Sequence, residues 1–345
     1  MPNDFNFFSF GAYGSEPIIR HLSENLSNMS INVSFIGVNE SKSTIVKKKI
    51  NISESSFAKN FLLRRINYYL LVFKTRKNQS KGFNCICYFP GCFLLAFLNN
   101  PILIIPSFSV SNNPIKRKFV NLLIQIEAFF FSKVIVFSLG MQSKLLKKSS
   151  VLTLGVNNYL SSEPKTKKIT NFLYIGTLYN RRILDTVVGF HNFLKQGGKG
   201  VYHIVGGRHQ SESSKIQKYI STHDLSNDIV FHGEQDSPSQ LFDLCEVGVS
   251  YIPINEYFDI QPATKTHEYL ANGMYVIATN TSENRKIINI NNGALIEDSS
   301  DEFAIKCHHY INNIKSGFCR KKLVDENKKL LWKHIVTNDF FNIIK

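Results

Sequence analysis

Short apolar runs and amphipathic stretches alternate along almost the whole chain. In the first half, residues 6–10, 33–38, 84–88, 102–105, 133–138 and 150–154 have the length and composition of buried strands. Between them, 18–26, 57–74, 119–130 and 140–147 carry apolar residues at helical spacing. Residues 41–49 are polar and basic and read as a loop. A polar segment with one proline, SSEPKTKKIT at 161–170, then interrupts the pattern. The alternation resumes with strands at 171–175, 202–205, 229–232, 247–252, 274–278 and 294–296. The helices of this half are 183–195, 211–222, 237–245, one opening at Thr264, and 302–314, with a terminal helical region at 325–345. Strands alternating with helices predict parallel sheets covered on both faces. The fold class is therefore α/β, with two Rossmann-like doubly wound domains at 1–160 and 171–320, joined by the linker 161–170.

Length agrees with this division, since 345 residues exceed one ordinary core. Charge sharpens it. Residues 1–160 hold 19 Lys and Arg against 6 Asp and Glu, and the remainder holds 22 against 20. An anionic partner for the first half is expected: nucleic acid, an anionic lipid surface or an anionic substrate. The basic amphipathic segment 57–74 and the basic run 74–81 suit a membrane surface as well as an ordinary cover for a sheet. No run reaches the ~18 apolar residues of a spanning helix, and the first ten residues lack the basic start of a signal peptide. A cytoplasmic protein, peripheral to the inner face of the plasma membrane, is expected. The six cysteines have no regular spacing, and Cys85, Cys87 and Cys92 lie in an apolar run without a matching His/Cys pair. Free thiols and no metal site are expected.

The densest candidate chemistry lies in 258–279, FDIQPATKTHEYLANGMYVIAT. Thr264 and Thr266 can cap a first helical turn, and Gly273 suits the left-handed residue just past a helix end. Lys265 beside the open N–H groups of a helix start suits a phosphate. Glu268, a turn further on, suits a ribose diol. Loops that follow parallel strands share one edge of a sheet. Gly176, Arg181 and Arg182, then Gly206 and Gly207, then His232 and Gly233, follow three successive strands and should gather there with Thr264, Lys265 and Glu268. Arginine offers forked donors for phosphate, and glycine lets backbone approach a ligand. Singly, each has a bland explanation: a surface arginine, a turn glycine, a dipole-favoured glutamate. In the first half, Gly14, Ser15 and Glu16 follow the first strand and are expected to line an acceptor-side loop.

Six segments carry a resemblance: FLYIGTLYNRR, YHIVGG, IVFHGE, VGVSYIP, QPATKTHEYLANGMYVIAT and NNGALIEDSSDEF. In this order over 171–305 they resemble the donor domain of GT-B-fold, retaining glycosyltransferases of the family 4-like group. The QPATKTHEYL wording is similar to a subgroup from bacterial surface polysaccharide clusters. GAYGSEP and 131–156 resemble the first domain more loosely. The resemblance implies two domains facing a cleft, a nucleotide-sugar donor in the second domain, an acceptor toward the first, and a last segment, 321–345, crossing back to the first domain. Glu268 matches the second glutamate of the E-x7-E motif, which holds the ribose. The first glutamate falls on Ile260, leaving Asp259 or Gln261 to contact the sugar. Arg181 or Arg182 matches a basic diphosphate contact, and Lys265 can share the role of a lysine that this loop lacks. The acceptor-side histidine of relatives has no counterpart, so no catalytic base is named. The resemblance implies no cofactor beyond the donor, and no metal.

Together these readings describe a glycosyltransferase moving a sugar from a nucleotide-diphosphate sugar to a saccharide acceptor. The acceptor is expected to be lipid-linked, in bacterial surface polysaccharide synthesis such as O-antigen of lipopolysaccharide or capsule. The alternative is a non-catalytic nucleotide-sugar-binding partner subunit, which the broken E-x7-E favours. A nucleic-acid-binding protein has only charge behind it and lacks a basic-aromatic module, so no nucleic acid partner is expected. Donor sugar, nucleotide base and linkage stay open.

Overall fold

The computed structural model describes residues 4–13, 15–39, 50–79, 82–160, 169–207, 210–235 and 239–345. The chain divides into two compact units, Met1–Thr153 with Trp332–Lys345, and Leu154–Leu331. Among the described residues each unit is built on one parallel sheet, as the alternation predicts.

The first unit runs β1 (Asp4–Phe8), α1 (Pro17–Asn28), β2 (Asn32–Val38), β3 (Ile50–Ser55), α2 (Phe61–Gln79), β4 (Phe83–Cys87), β5 (Pro101–Ile104), α3 (Pro114–Ala128), β6 (Lys133–Val136), α4 (Leu139–Lys144) and β7 (Ser150–Val151). The strand order is β3-β2-β1-β4-β5-β6-β7. Direction reverses at β1, so right-handed crossovers place α1 on one face and α2 and α3 on the other. The chain's end belongs to the α1 face. Trp332 stacks beside His21 of α1, and Phe340 and Phe341 lie against Phe5 of β1.

Two local differences from the sequence reading have simple causes. Strand β3, INISES, was not expected, because an edge strand of Ser, Asn and Glu lacks an apolar run. The helix expected at 57–74 begins at Phe61, because Asn60 caps it by accepting the N–H groups of Leu62 and Leu63.

The second unit runs β8 (Thr170–Ile175), α5 (Ile183–Lys195), β9 (Gly200–Val205), α6 (Gln210–Thr222), β10 (Ile229–Gly233), α7 (Ser239–Leu244), β11 (Val247–Ser250), α8 (Thr264–Ala271), β12 (Tyr275–Thr279), α9 (Ser282–Ile287), β13 (Gly293–Ile296), α10 (Ser300–His309) and α11 (Arg320–Glu326). Its order, β10-β9-β8-β11-β12-β13, reverses between β8 and β11. Phe172, Phe190, Phe193, Tyr202 and Phe303 fill one side of the sheet. Leu173, Phe242, Tyr269, Leu270 and Val276 fill the other. The crevice of such a sheet lies outside the carboxyl ends at the reversal, so it opens where β8 and β11 lead toward α5 and α8. The helical region expected at 325–345 is made of short helical pieces, among them α12 (Trp332–Ile335) and α13 (Phe341–Ile344). The five buried cysteines and exposed Cys319 are free thiols. Among the described residues no helix is long and apolar enough to cross a membrane.

Candidate functional site at the carboxyl edge of the second sheet

Backbone contacts draw the ends of three neighbouring strands together. The Gly176 N–H bonds the Val205 carbonyl at 3.0 Å, and the Gly206 N–H bonds that of Gly233 at 2.8 Å. A Cβ on Gly206 would lie 2.2 Å from the Gly176 carbonyl oxygen, and one on Gly207 2.9 Å from the Glu234 backbone nitrogen. Gly206 and Gly207 are therefore required by close approach of the chain to itself. Gly233 has φ +68°, the left-handed region that favours glycine.

The two arginines take different surroundings. Arg182 opens α5 in a left-handed conformation and is held by carboxylates, its Nη2 2.6 Å from Asp185 and its Nη1 2.7 Å from Asp298. Arg181 lies with its guanidinium 4.2 Å from the ring centre of Phe258, in the loop that runs into α8. Its Nη1 is buried and has no hydrogen-bond partner among the described residues. Burial lowers the Arg181 pKa, against the pull of the Tyr174 and Tyr257 rings. An inward guanidinium with an unused donor is what a phosphate oxygen would satisfy.

Helix α8 departs from expectation at its start. Neither threonine caps it; Ala263 holds the N-cap position and no side chain accepts there. Thr266 is fully buried instead, with its hydroxyl 2.7 Å from that of Ser250 and donating to Asn284 at 2.9 Å. Asn284 in turn donates to the Thr279 carbonyl, and the Ile252 N–H bonds the Thr279 hydroxyl. This network ties the ends of β11 and β12 to α8 and leaves the helix start open to an anion. Lys265 reaches one turn along α8 to Glu268 at 2.5 Å, where the carboxylate is largely shielded. Gly273 follows the helix with φ +68°, as its sequence position predicts.

The remaining candidates are occupied locally. Asp259 accepts from the backbone N–H of Ser282 at 2.7 Å and its hydroxyl at 2.6 Å, anchoring the start of α9. Gln261 is buried and donates to the Tyr257 carbonyl. His232 stacks on His203, ring nitrogens 3.0 Å apart, and burial lowers its pKa. In the first unit Ser15 donates to the Ala12 carbonyl and Glu16 sits at the N-cap of α1, while Gly14 lies outside the described residues. Among the described residues no three His, Cys, Asp or Glu side chains form a metal-binding group.

Several supporting residues gave no signal in the sequence. The Tyr269 hydroxyl accepts the Ile175 N–H across the sheet at 2.9 Å. Arg320, buried on α11, donates to the carbonyls of Asn272 and Phe242 and so closes the C-terminal end of α8. Asn272 itself bonds Asn157, Tyr159 and Glu268. These partners are up to 115 residues apart, beyond the reach of any local pattern.

Residues 170–313 match the family model described as glycosyl transferases group 1. Over these residues the chain is similar to group 1 glycosyltransferases. Whole-chain similarity in fold reaches further than the family match and identifies the GT-B fold. Sucrose-phosphate synthase from Thermosynechococcus elongatus superposes with a TM-score of 0.76 at 14% identity, covering 99% of this chain and 98% of that one. Anabaena HepE, in complex with UDP and glucose, gives 0.74 at 13% identity, covering 99% of each chain. The lipopolysaccharide outer core galactosyltransferase WaaB gives 0.68 at 17% identity, again covering 99% of each. No curated protein is similar in sequence. The family match covers β8 to α10, the part that carries the edge described above.

Proposed function

We propose that this protein is a glycosyltransferase that binds a nucleoside-diphosphate sugar at the carboxyl edge of its second sheet and transfers the sugar with retention to a lipid-linked saccharide at a membrane surface. The observation that carries the reading is Arg181, whose buried Nη1 has no partner among the described residues. The diphosphate would accept from Arg181 and from the open N–H groups of α8, and Lys265 would move from Glu268 toward a phosphate. Glu268, so released, would accept the ribose hydroxyls. Charge developing on the leaving diphosphate would be stabilised by the same donors, and fixed donors aimed at developing charge are the main source of such catalysis. A uridine nucleotide is the first donor to test, because HepE is described in complex with UDP and glucose. Bacterial surface polysaccharide is the acceptor class we favour, on the QPATKTHEYL wording and on the galactosyltransferase WaaB among the structural neighbours.

The test is a thermal-shift screen across nucleoside diphosphates and their sugars, with Glu268→Gln beside the wild type. A shift from one nucleotide that Glu268→Gln reduces supports the reading. No shift from any nucleotide would sink it. A second reading, a non-catalytic nucleotide-sugar-binding subunit, draws on Ile260 in place of the first motif glutamate and on the engagement of Asp259 with Ser282. It predicts the same thermal shift without donor hydrolysis or transfer to any saccharide acceptor.

A further inference from the structure

The outer face of α2 and α3 in the first unit is apolar where solvent would favour polar residues. On α3, with Phe129 as its C-cap residue, Ile115, Phe119, Leu122, Ile126 and Phe129 recur at four- and three-residue spacing, and every one is exposed, from 78% for Ile115 to 49% for Ile126. The helix turns Ile124, Glu127 and Ala128 inward, so this stripe is additional to the face that packs on the sheet. On α2, Leu62, Ile66, Leu70 and Phe73 form a second exposed stripe. Between the helices, the turn Cys92–Phe97 exposes Leu94 and, at 72%, Phe97.

These pieces form one surface. The Tyr69 hydroxyl of α2 bonds the Gly91 carbonyl at 2.6 Å, and the Glu127 carboxylate of α3 accepts the N–H groups of Gly91 and Phe93. The rings of Phe93 and Phe130 are 5.4 Å apart. Strand order puts both helices on the same sheet face, opposite α1 and the C-terminal pieces. An exposed apolar area of this extent marks a docking surface.

Charge selects the occupant. Residues 57–148 contain fourteen Lys and Arg and one acidic residue, Glu127, which is buried. A second copy of the chain would bring the same positive charge to the contact and be repelled. An anionic lipid surface offers the complementary charge at its headgroups and an apolar layer beneath them. The geometry points to insertion of the α2–α3 face into the interface of an anionic bilayer, with Phe97 and the α3 stripe as its apolar wedge and Lys116, Arg117 and Lys118 among the headgroups. This rests on the membrane-surface reading of the proposed function and deepens it from electrostatic attraction to insertion.

The test is flotation with phosphatidylcholine vesicles, with and without phosphatidylglycerol, at low and high salt. Phe119→Ser/Leu122→Ser removes apolar contact and leaves charge unchanged; Lys116→Gln/Lys118→Gln does the reverse. All four positions are on the exposed helix surface or its first turn, and melting curves check that each variant is folded. We expect wild-type binding to the anionic vesicles with a fraction surviving high salt, and a loss of roughly tenfold or more in partitioning for the serine variant. The glutamine variant should lose only the salt-sensitive part. Unchanged partitioning of the serine variant would overturn insertion and leave surface attraction standing. No binding of the wild type to either vesicle would overturn insertion and the membrane reading together. Self-association in sedimentation that the serine variant abolishes, without vesicle binding, would assign the face to a second copy and equally overturn it.

Discussion

Arg181→Met separates a structural arginine from a ligand-binding one. Methionine keeps an unbranched apolar stem over Phe258 and removes the guanidinium. The loss of the contact to the ring at 4.2 Å costs about 0.5–2 kcal/mol. Removal of the buried, unpartnered Nη1 returns a penalty of about 1–3 kcal/mol. The two oppose each other, so the ligand-free protein should be destabilised by no more than about 1 kcal/mol and can gain up to about 2.5 kcal/mol. Binding behaves differently. Charge-assisted bonds to phosphate contribute about 1.5–3 kcal/mol, so Kd for the preferred nucleoside diphosphate should weaken by about 10- to 150-fold. Urea denaturation gives the first quantity, and calorimetric titration with UDP, then GDP and ADP, gives the second. A variant destabilised by more than about 3 kcal/mol with unchanged nucleotide affinity would refute the reasoning, because the guanidinium would then be a structural group.

Gly206→Ala places a methyl 2.2 Å from the Gly176 carbonyl oxygen and should cost about 1–3 kcal/mol, with a lower Tm and weakened nucleotide binding; Gly233→Ala, which meets nothing within 4 Å, should lose only about 1 kcal/mol from its left-handed backbone. Arg320→Met should destabilise the second unit by about 3 kcal/mol, measured by urea denaturation, because the carbonyls of Asn272 and Phe242 lose buried charged donors. Burial lowers the folded-state pKa of His191, His232 and His267 below 6.5. The unfolded chain therefore binds protons first as pH falls, so the stability of the neutral forms is complete above that value and declines below it. Denaturation midpoints should fall between pH 7.5 and pH 5.5, and His267→Asn, at the most buried of the three, should flatten the decline.

Local chemistry determined a great deal by itself. Twice-repeated alternation of strand and helix wrote the two parallel sheets, because a buried parallel strand must be apolar on both faces and a covering helix on one. Gly273 was legible because a helix end needs a left-handed residue, and 171–305 carried the family resemblance. Edge strand β3 was not legible, since half its surface faces water and its residues need not be apolar. The roles of individual site residues were decided by the tertiary structure. Arg181 and Arg182 are adjacent and chemically identical, yet Asp185 and Asp298 occupy one while the ring of Phe258 covers the other. Thr266 was legible as a cap and became a core hydroxyl once Ser250 and Asn284 closed on it. The same holds for α3. Its spacing announced an amphipathic helix, but only its packing showed that Glu127 points inward and the apolar stripe points out. A sequence fixes which side chains share a face, and the fold around them fixes what that face meets.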